Sequence, residues 1–266
     1  MELIIKDYPR EYLALKINYI KQQIGSLPDI RLRMIEEQGV KIPLVIVGRH
    51  RYKSNSEQGK RYLQILNQKD YLTRQLSIYE AIWNNIYIGD PARVGKPCNL
   101  ARRIYTDTDR SVILNKAYFD SLRNDSDTRY DKPSNYIFDG IKYRSASERD
   151  IAIFYTEMGI PFKYEPEVYI KGLAEPIHPD FVLYIPELDN CKFHEHFGMK
   201  QSSAYLRTTT VKYRNYTDAG LLPETDILFT HDVDSVPFDI RTLSLKLNIA
   251  IYTSMLTVDR IRKNAF

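Results

Sequence analysis

Apolar residues recur along this chain at helical and strand periods in turn, and that alternation outlines its organisation. Leu13, Ile17, Ile20 and Ile24 fall three or four apart, which predicts a helix over residues 9–26 stopping near Gly25. The run KIPLVIVG, Lys41 to Gly48, is rich in β-branched residues and predicts a strand, with Pro43 arguing for an edge position. Leu72, Leu76, Tyr79 and Trp83 share one face of a helix predicted over Lys69–Ile86, with Ile78, Ile82 and Ile86 beside them. A stripe of that kind is core. Ser111–Leu122 fits a further helix, and the polar stretch RNDSDTRYDKPSN, residues 123–135, predicts a linker.

Beyond that stretch the pattern is denser. Tyr136–Tyr143 predicts a short hairpin or strand, and Ser145–Met158 a helix with Ser145 or Ser147 near its N-cap and Gly159 as its stop. Three strands follow: Ile160–Ile170 (interrupted by Pro166), Ile177–Ile185 and Cys191–Gly198, the last two joined by a turn at Pro186–Asn190. A helix over Ser202–Ala219, a strand over Asp226–Thr230 and a helix over Pro237–Ile251 complete the order. The expectation is an α/β fold, α-β-β-β-α-β, with a mixed sheet flanked by helices over residues 134–266. A mainly helical N-terminal domain over 1–133 precedes it.

Charge sharpens that division. Residues 1–133 carry 23 Lys and Arg against 16 Asp and Glu, and residues 134–266 carry 15 against 18. A basic half beside a slightly acidic one suits a nucleic-acid partner. Within the basic half, RHRYKSNSEQGKRY interleaves Arg49, Arg51, Lys53, Lys60 and Arg61 with tyrosines, a composition fitted to phosphate contact and base stacking. No apolar run is long enough to span a bilayer, and the early charges of MELIIKDYPREY do not fit a signal peptide. The expectation is a cytoplasmic protein, with Cys98 and Cys191 as reduced thiols.

The candidate chemistry lies in HPDFVLYIPELDNCKFHEHFG, His178 to Gly198. Asp180 heads one predicted strand and Glu195 lies within the next, and carboxylates so placed call for a positive partner such as a divalent metal. With Glu148 on the preceding helix, the set resembles the PD-(D/E)XK nuclease superfamily: Pro179-Asp180 supplies the PD and Glu195 the second acid. RSASERDIA, GIPFKYEPE, HPDFVL, EHFGM and KYRNYTDAGLLPETDILFTHD, in that order, further resemble a group of bacterial and phage-type proteins in which a basic helical region precedes the same core.

The resemblance implies a restriction-endonuclease-like core and hydrolysis of DNA with Mg²⁺ or Mn²⁺. Asp180, Glu195, Glu148 and the backbone carbonyl of His196 would be the ligands. The motif's final lysine is missing, because Phe197 stands where it belongs. Tyr205, Thr209 and Lys212 share a helical face, so Lys212 is the expected replacement and Lys200 the second choice. Arg144 is expected to meet phosphate and Glu165 to lie near the metal. His194 and His196 should point to the strand face opposite Glu195, which argues against zinc. Nucleases of this type often dimerise to cut both strands, and protein partners in a DNA-processing or mobile-element system fit the same resemblance. The alternative is an inactive nucleic-acid-binding or assembly protein on a degenerate nuclease fold.

Overall fold

A computed structural model describes residues 10–264 except 38, 106–110, 171–172, 174, 199–202 and 233–237. The chain divides into two compact units, Leu13–Pro97 and a second made of Cys98–Phe266 with the residues up to Tyr12. The expected boundary at 133/134 thus moves to 97/98, and packing explains why. Ile104, Leu114, Phe119 and Leu122 are buried in one core with Val182, Tyr184, Phe193 and Tyr216. The stretch 123–135 is not a linker. Its Asp125 and Ser126 N–H groups donate to the carbonyls of Tyr164 and Glu165 at 2.7 and 3.0 Å, and Asp127 is buried.

The first unit holds most of α1 (Arg10–Ser26), then β1 (Ile30–Glu37), β2 (Val40–Val47), β3 (His50–Lys53) and α2 (Glu57–Ile86). The strands form an antiparallel sheet in the order β1-β2-β3. β1 escaped the sequence reading because IRLRMIEE mixes charges into a strand that is mostly exposed. β2 is central, so Pro43 does not mark an edge. Its carbonyl accepts from the Ser54 N–H at 3.0 Å, and an extended residue turns N and C=O to one side. The missing donor of Pro43 therefore faces the place where β3 has just ended. Helix α2 starts well before Lys69 because Ser56 caps it, accepting from the Gly59 N–H at 3.1 Å. Gly59 is required there: a Cβ would lie 2.0 Å from the Lys53 carbonyl oxygen.

The second unit contains β4 (Arg103–Tyr105), β5 (Ser111–Ile113), α3 (Lys116–Ser121), β6 (Ile137–Phe138), β7 (Ile141–Lys142), α4 (Ala146–Glu157), β8 (Phe162–Tyr164), β9 (Phe181–Ile185), β10 (Asn190–Phe197), α5 (Ser203–Asp218), β11 (Ile227–His231) and α6 (Ile240–Asn264). The expected order α-β-β-β-α-β is seen from α4 to β11. The class is α/β, built on a mixed four-stranded sheet, β11-β10-β9-β8, in which only β10 and β11 run parallel.

The strand expected over Ile177–Ile185 starts only at Phe181, the helix expected over Pro237–Ile251 spans Ile240–Asn264, and two further elements differ more. Ser111–Leu122 is a strand and then a short helix, because the Asn115 side chain caps α3 by accepting from the Tyr118 N–H at 3.1 Å. Ile160–Ile170 shrinks to β8 because Glu165, just before Pro166, takes φ +40° and turns the chain out of the ladder. Strand β10 is buried along its length. Cys191, Phe193 and Phe197 face the core that includes Tyr216 of α5, whereas Lys192 and His194 meet Ser254 of α6 and Tyr155 of α4.

Candidate functional site

Asp180 and Glu195 face each other at the end of a ladder. The β9–β10 register runs to Phe181↔His194, and one further step sets Asp180 opposite Glu195 on one face of the sheet. There the Asp180 carboxylate takes over from the backbone: Oδ2 accepts the His196 N–H at 2.6 Å. The His196 carbonyl leaves the strand toward the same side, which is the position expected for a further oxygen donor. Withdrawal from water, then the charges of Glu195 and Glu148, raise the Asp180 carboxyl well above its ordinary pKa, and Lys212 opposes them.

Helix α5 supplies the positive partner. Lys212 Nζ lies 2.9 Å from Glu195 Oε2, and the Tyr216 hydroxyl donates to Oε1. The two residues are i, i+4 on one helical face, so a single helix brings both donors to one carboxylate. Glu195 is 1% exposed, whereas the Lys212 side chain is 42% exposed. Burial and the Glu195 charge push the Tyr216 phenol well above its usual range, so it stays protonated as a donor. Tyr216 was not singled out in the sequence, although its spacing from Lys212 was visible. The side chain of Tyr205 and all of Lys200 lie outside the described residues.

Glu148 sits in the first turn of α4, where Ser145 caps the helix by accepting the Glu148 N–H at 3.1 Å. Its Oε2 accepts from the Tyr164 hydroxyl at 2.6 Å and from the Arg144 N–H at 3.2 Å. Glu148 is thus near enough to act on Asp180 electrostatically while its own carboxylate is held by protein donors. Among the described residues, no three His, Cys, Asp or Glu side chains are disposed to hold a metal ion together. The expected convergence of three acids is therefore seen as a pair, Asp180 and Glu195, on whose Asp180 the charge of Glu148 acts.

The donor set still fits a hard cation. Mg²⁺ keeps several waters and commonly takes only one or two carboxylates. The facing acids and the His196 carbonyl are oxygen donors, and the charge crowding that raises Asp180 is what a divalent ion would relieve.

Glu165 belongs to the surround of the site. It is 2% exposed, donates its N–H to the Asp180 carbonyl at 3.0 Å, and pairs with Lys132 at 2.5 Å and Arg144 at 2.6 Å. Arg144 also reaches Asp127 at 2.6 Å, and Asp127 holds Arg129, whose guanidinium lies 3.2 Å from His178 Nδ1. Arg144, expected to meet phosphate, is thus engaged by two acids. Lys132 and Asp127 gave no signal because they stood in a stretch read as linker.

His194 and His196 project to the opposite face, as strand alternation requires. His194 contacts Thr230 Oγ1 at 2.7 Å and the Tyr155 hydroxyl at 2.8 Å; His196 contacts Thr230 Oγ1 at 2.8 Å and Asp232 at 3.1 Å. All four ring nitrogens are engaged, and burial lowers both pKa values.

The expected basic grip is divided. Arg51 and Lys53 alternate with Tyr52 along β3, Arg49 lies in the turn before it, and Lys60 and Arg61 lie on α2. Tyr52 packs against Tyr62 with ring centroids 5.3 Å apart and the ring planes tilted by 33°. Among the described residues no helix is long and apolar enough to cross a membrane. Compared with known proteins, the chain matches no family model, and no curated protein or solved structure is significantly similar to it.

Proposed function

We propose that this protein is a metal-dependent nuclease of the PD-(D/E)XK type, with a restriction-endonuclease-like core and DNA as substrate. The observation that carries the reading is the placement of Lys212 on Glu195, opposite Asp180. The strand position where the motif lysine belongs holds Phe197, and an ammonium arrives instead from the next helix. Asp180, Glu195 and the His196 carbonyl would hold Mg²⁺ or Mn²⁺, which when bound supplies charge relief on the phosphoryl oxygens and a more acidic water.

This chain's own residues do the rest. Tyr216 fixes one oxygen of Glu195, and the His196 N–H fixes one oxygen of Asp180. Lys212, half open to solvent, can leave Glu195 for a water or a phosphoryl oxygen and stabilise charge that develops there. Glu148 adds negative charge that acts on Asp180, favouring cation binding.

A second reading has its own support. Protein donors engage both Glu195 oxygens, an arrangement that also suits an inactive nucleic-acid-binding protein. Nicking of plasmid DNA with Mg²⁺ or Mn²⁺, compared between the native protein and Asp180→Ala, separates the two. The nuclease reading expects nicking that Asp180→Ala abolishes. Nicking that survives the substitution rejects it, and no cutting of any substrate favours the binder.

A further inference from the structure

Positive charge is concentrated in the first unit. Residues 13–97 contain 14 Lys and Arg against 7 Asp and Glu, so the whole positive balance of the chain lies there. The register of the three strands then decides where it is displayed. Arg31 pairs with Ile46 and Ile46 with Arg51; Arg33 pairs with Leu44 and Leu44 with Lys53. Paired residues share a face, so Arg31, Arg33, Arg51 and Lys53 stand on the same side of the sheet, in two rows either side of Leu44 and Ile46. All four are exposed. The other side carries the buried Ile30 and Val45 and the Tyr52–Tyr62 pair, and α2 packs against it.

Two of these cations have acidic partners. Arg31 contacts Asp29 at 3.1 Å, and Lys53 contacts Glu37 at 2.7 Å. Arg33 and Arg51 have no acid within ion-pair distance among the described residues. They occupy diagonal positions across the central strand, in rows roughly 10 Å apart, with steps of about 7 Å to the next cation along each strand, so that the two lie roughly 12 Å from each other.

We propose that this outer face of the β1–β2–β3 sheet binds the phosphate backbone of nucleic acid without reading its sequence. Guanidinium groups match phosphate oxygens in bidentate fashion. Aliphatic Leu44 and Ile46 give the arginine stems a surface to lie on. Tyr52 and His50 lie on the inner side of the register, so the face has no stacking platform to grip unpaired bases. Duplex DNA, with its dense and regular charge, suits such a face better than an acidic peptide does. The inference deepens the nuclease reading by naming Arg31 and Arg33, which no sequence motif marked, as part of the grip.

The test uses the full chain in EDTA, so that binding is measured without cleavage. Polarisation of a fluorescent DNA duplex is followed from about 50 to 200 mM salt for the native protein, for Arg33→Gln with Arg51→Gln, and for a charge-matched control, Arg74→Gln with Arg93→Gln. The inference expects the first variant to bind roughly tenfold more weakly, with its log–log salt slope reduced by about 1.8, since each lost phosphate contact contributes about 0.9. The control should keep the native slope. An unchanged slope in the first variant overturns the inference, as does an equal loss in the control or displacement of duplex by polyglutamate as readily as by unlabelled duplex. Thermal midpoints show that both variants fold. Nicking that survives Asp180→Ala while the arginine variant loses salt slope fails the nuclease reading alone, and nicking that Asp180→Ala abolishes while the slope is unchanged fails this inference alone.

Discussion

Lys212 Nζ lies 2.9 Å from Glu195 Oε2, reaching a buried strand carboxylate from a helix outside the sheet. If that lysine stabilises charge in the transition state, Lys212→Ala lowers kcat for DNA cleavage by about a hundredfold or more with little change in KM. Single-turnover kinetics on a labelled duplex measure it. An unchanged kcat removes Lys212 from the mechanism.

Tyr216 acts on the same carboxylate from below. Tyr216→Phe leaves Glu195 Oε1 without its buried donor, and an unsatisfied buried group of this kind costs about 1–3 kcal/mol. Urea denaturation should show a loss in that range. A variant as stable as the native protein would mean that water replaces the phenol.

The position of Lys212 was legible in the sequence, whereas its partners were only partly so. Alternation along β10 correctly separated Glu195 from His194 and His196, and the order of elements from α4 to β11 followed from periodicity alone. What escaped depends on three-dimensional closure. The 123–135 stretch looks like a linker because it is polar, yet its Asp127 and Lys132 are spent on the half-buried Arg144 and the buried Glu165. β1 was missed because most of its residues face solvent, which removes the apolar signal that marks a strand. Pro43 misled for a local reason: it sits in a central strand beside the point where the neighbouring strand stops.

Glu165 is a point of stability next to the site. Glu165→Ala leaves Lys132 and Arg144 without a shared buried partner, and breaking a buried pair on one side costs roughly 3–5 kcal/mol. Lys132 keeps Asp125 and Arg144 keeps Asp127, so the loss should fall at the lower end. Chemical denaturation checks it; a loss below about 1 kcal/mol would show that these partners compensate fully.

Gly59 joins the basic sheet to α2. Gly59→Ala drives a methyl group into the Lys53 carbonyl, and overpacking of this kind costs typically about 1–3 kcal/mol. A lowered thermal midpoint, with weaker duplex binding because Lys53 is displaced, is the expected outcome. A midpoint equal to the native one would mean that the β3–α2 junction yields freely.

Asp180 makes stability depend on pH. Its folded pKa lies above its unfolded one, so the native state holds the proton more tightly. That contribution is fully present below the ordinary aspartate range, near pH 4, and is lost as pH rises through the raised value. Asp180→Asn keeps an oxygen for the His196 N–H and cannot ionise. It should therefore be more stable than the native protein at neutral pH without metal, and the advantage should vanish near pH 4. Denaturation at the two pH values tests this; an equal difference at both would show that Asp180 carries no raised pKa.

Mn²⁺ binding, followed by loss of the free-ion electron paramagnetic resonance signal, probes the Asp180–Glu195 pair itself. The native protein should take up one ion per chain, with binding lost in Asp180→Ala and Glu195→Ala and retained in Lys212→Ala. Equal Mn²⁺ uptake by native protein and Asp180→Ala, or none by either at millimolar concentration, would show that the pair is not a metal site.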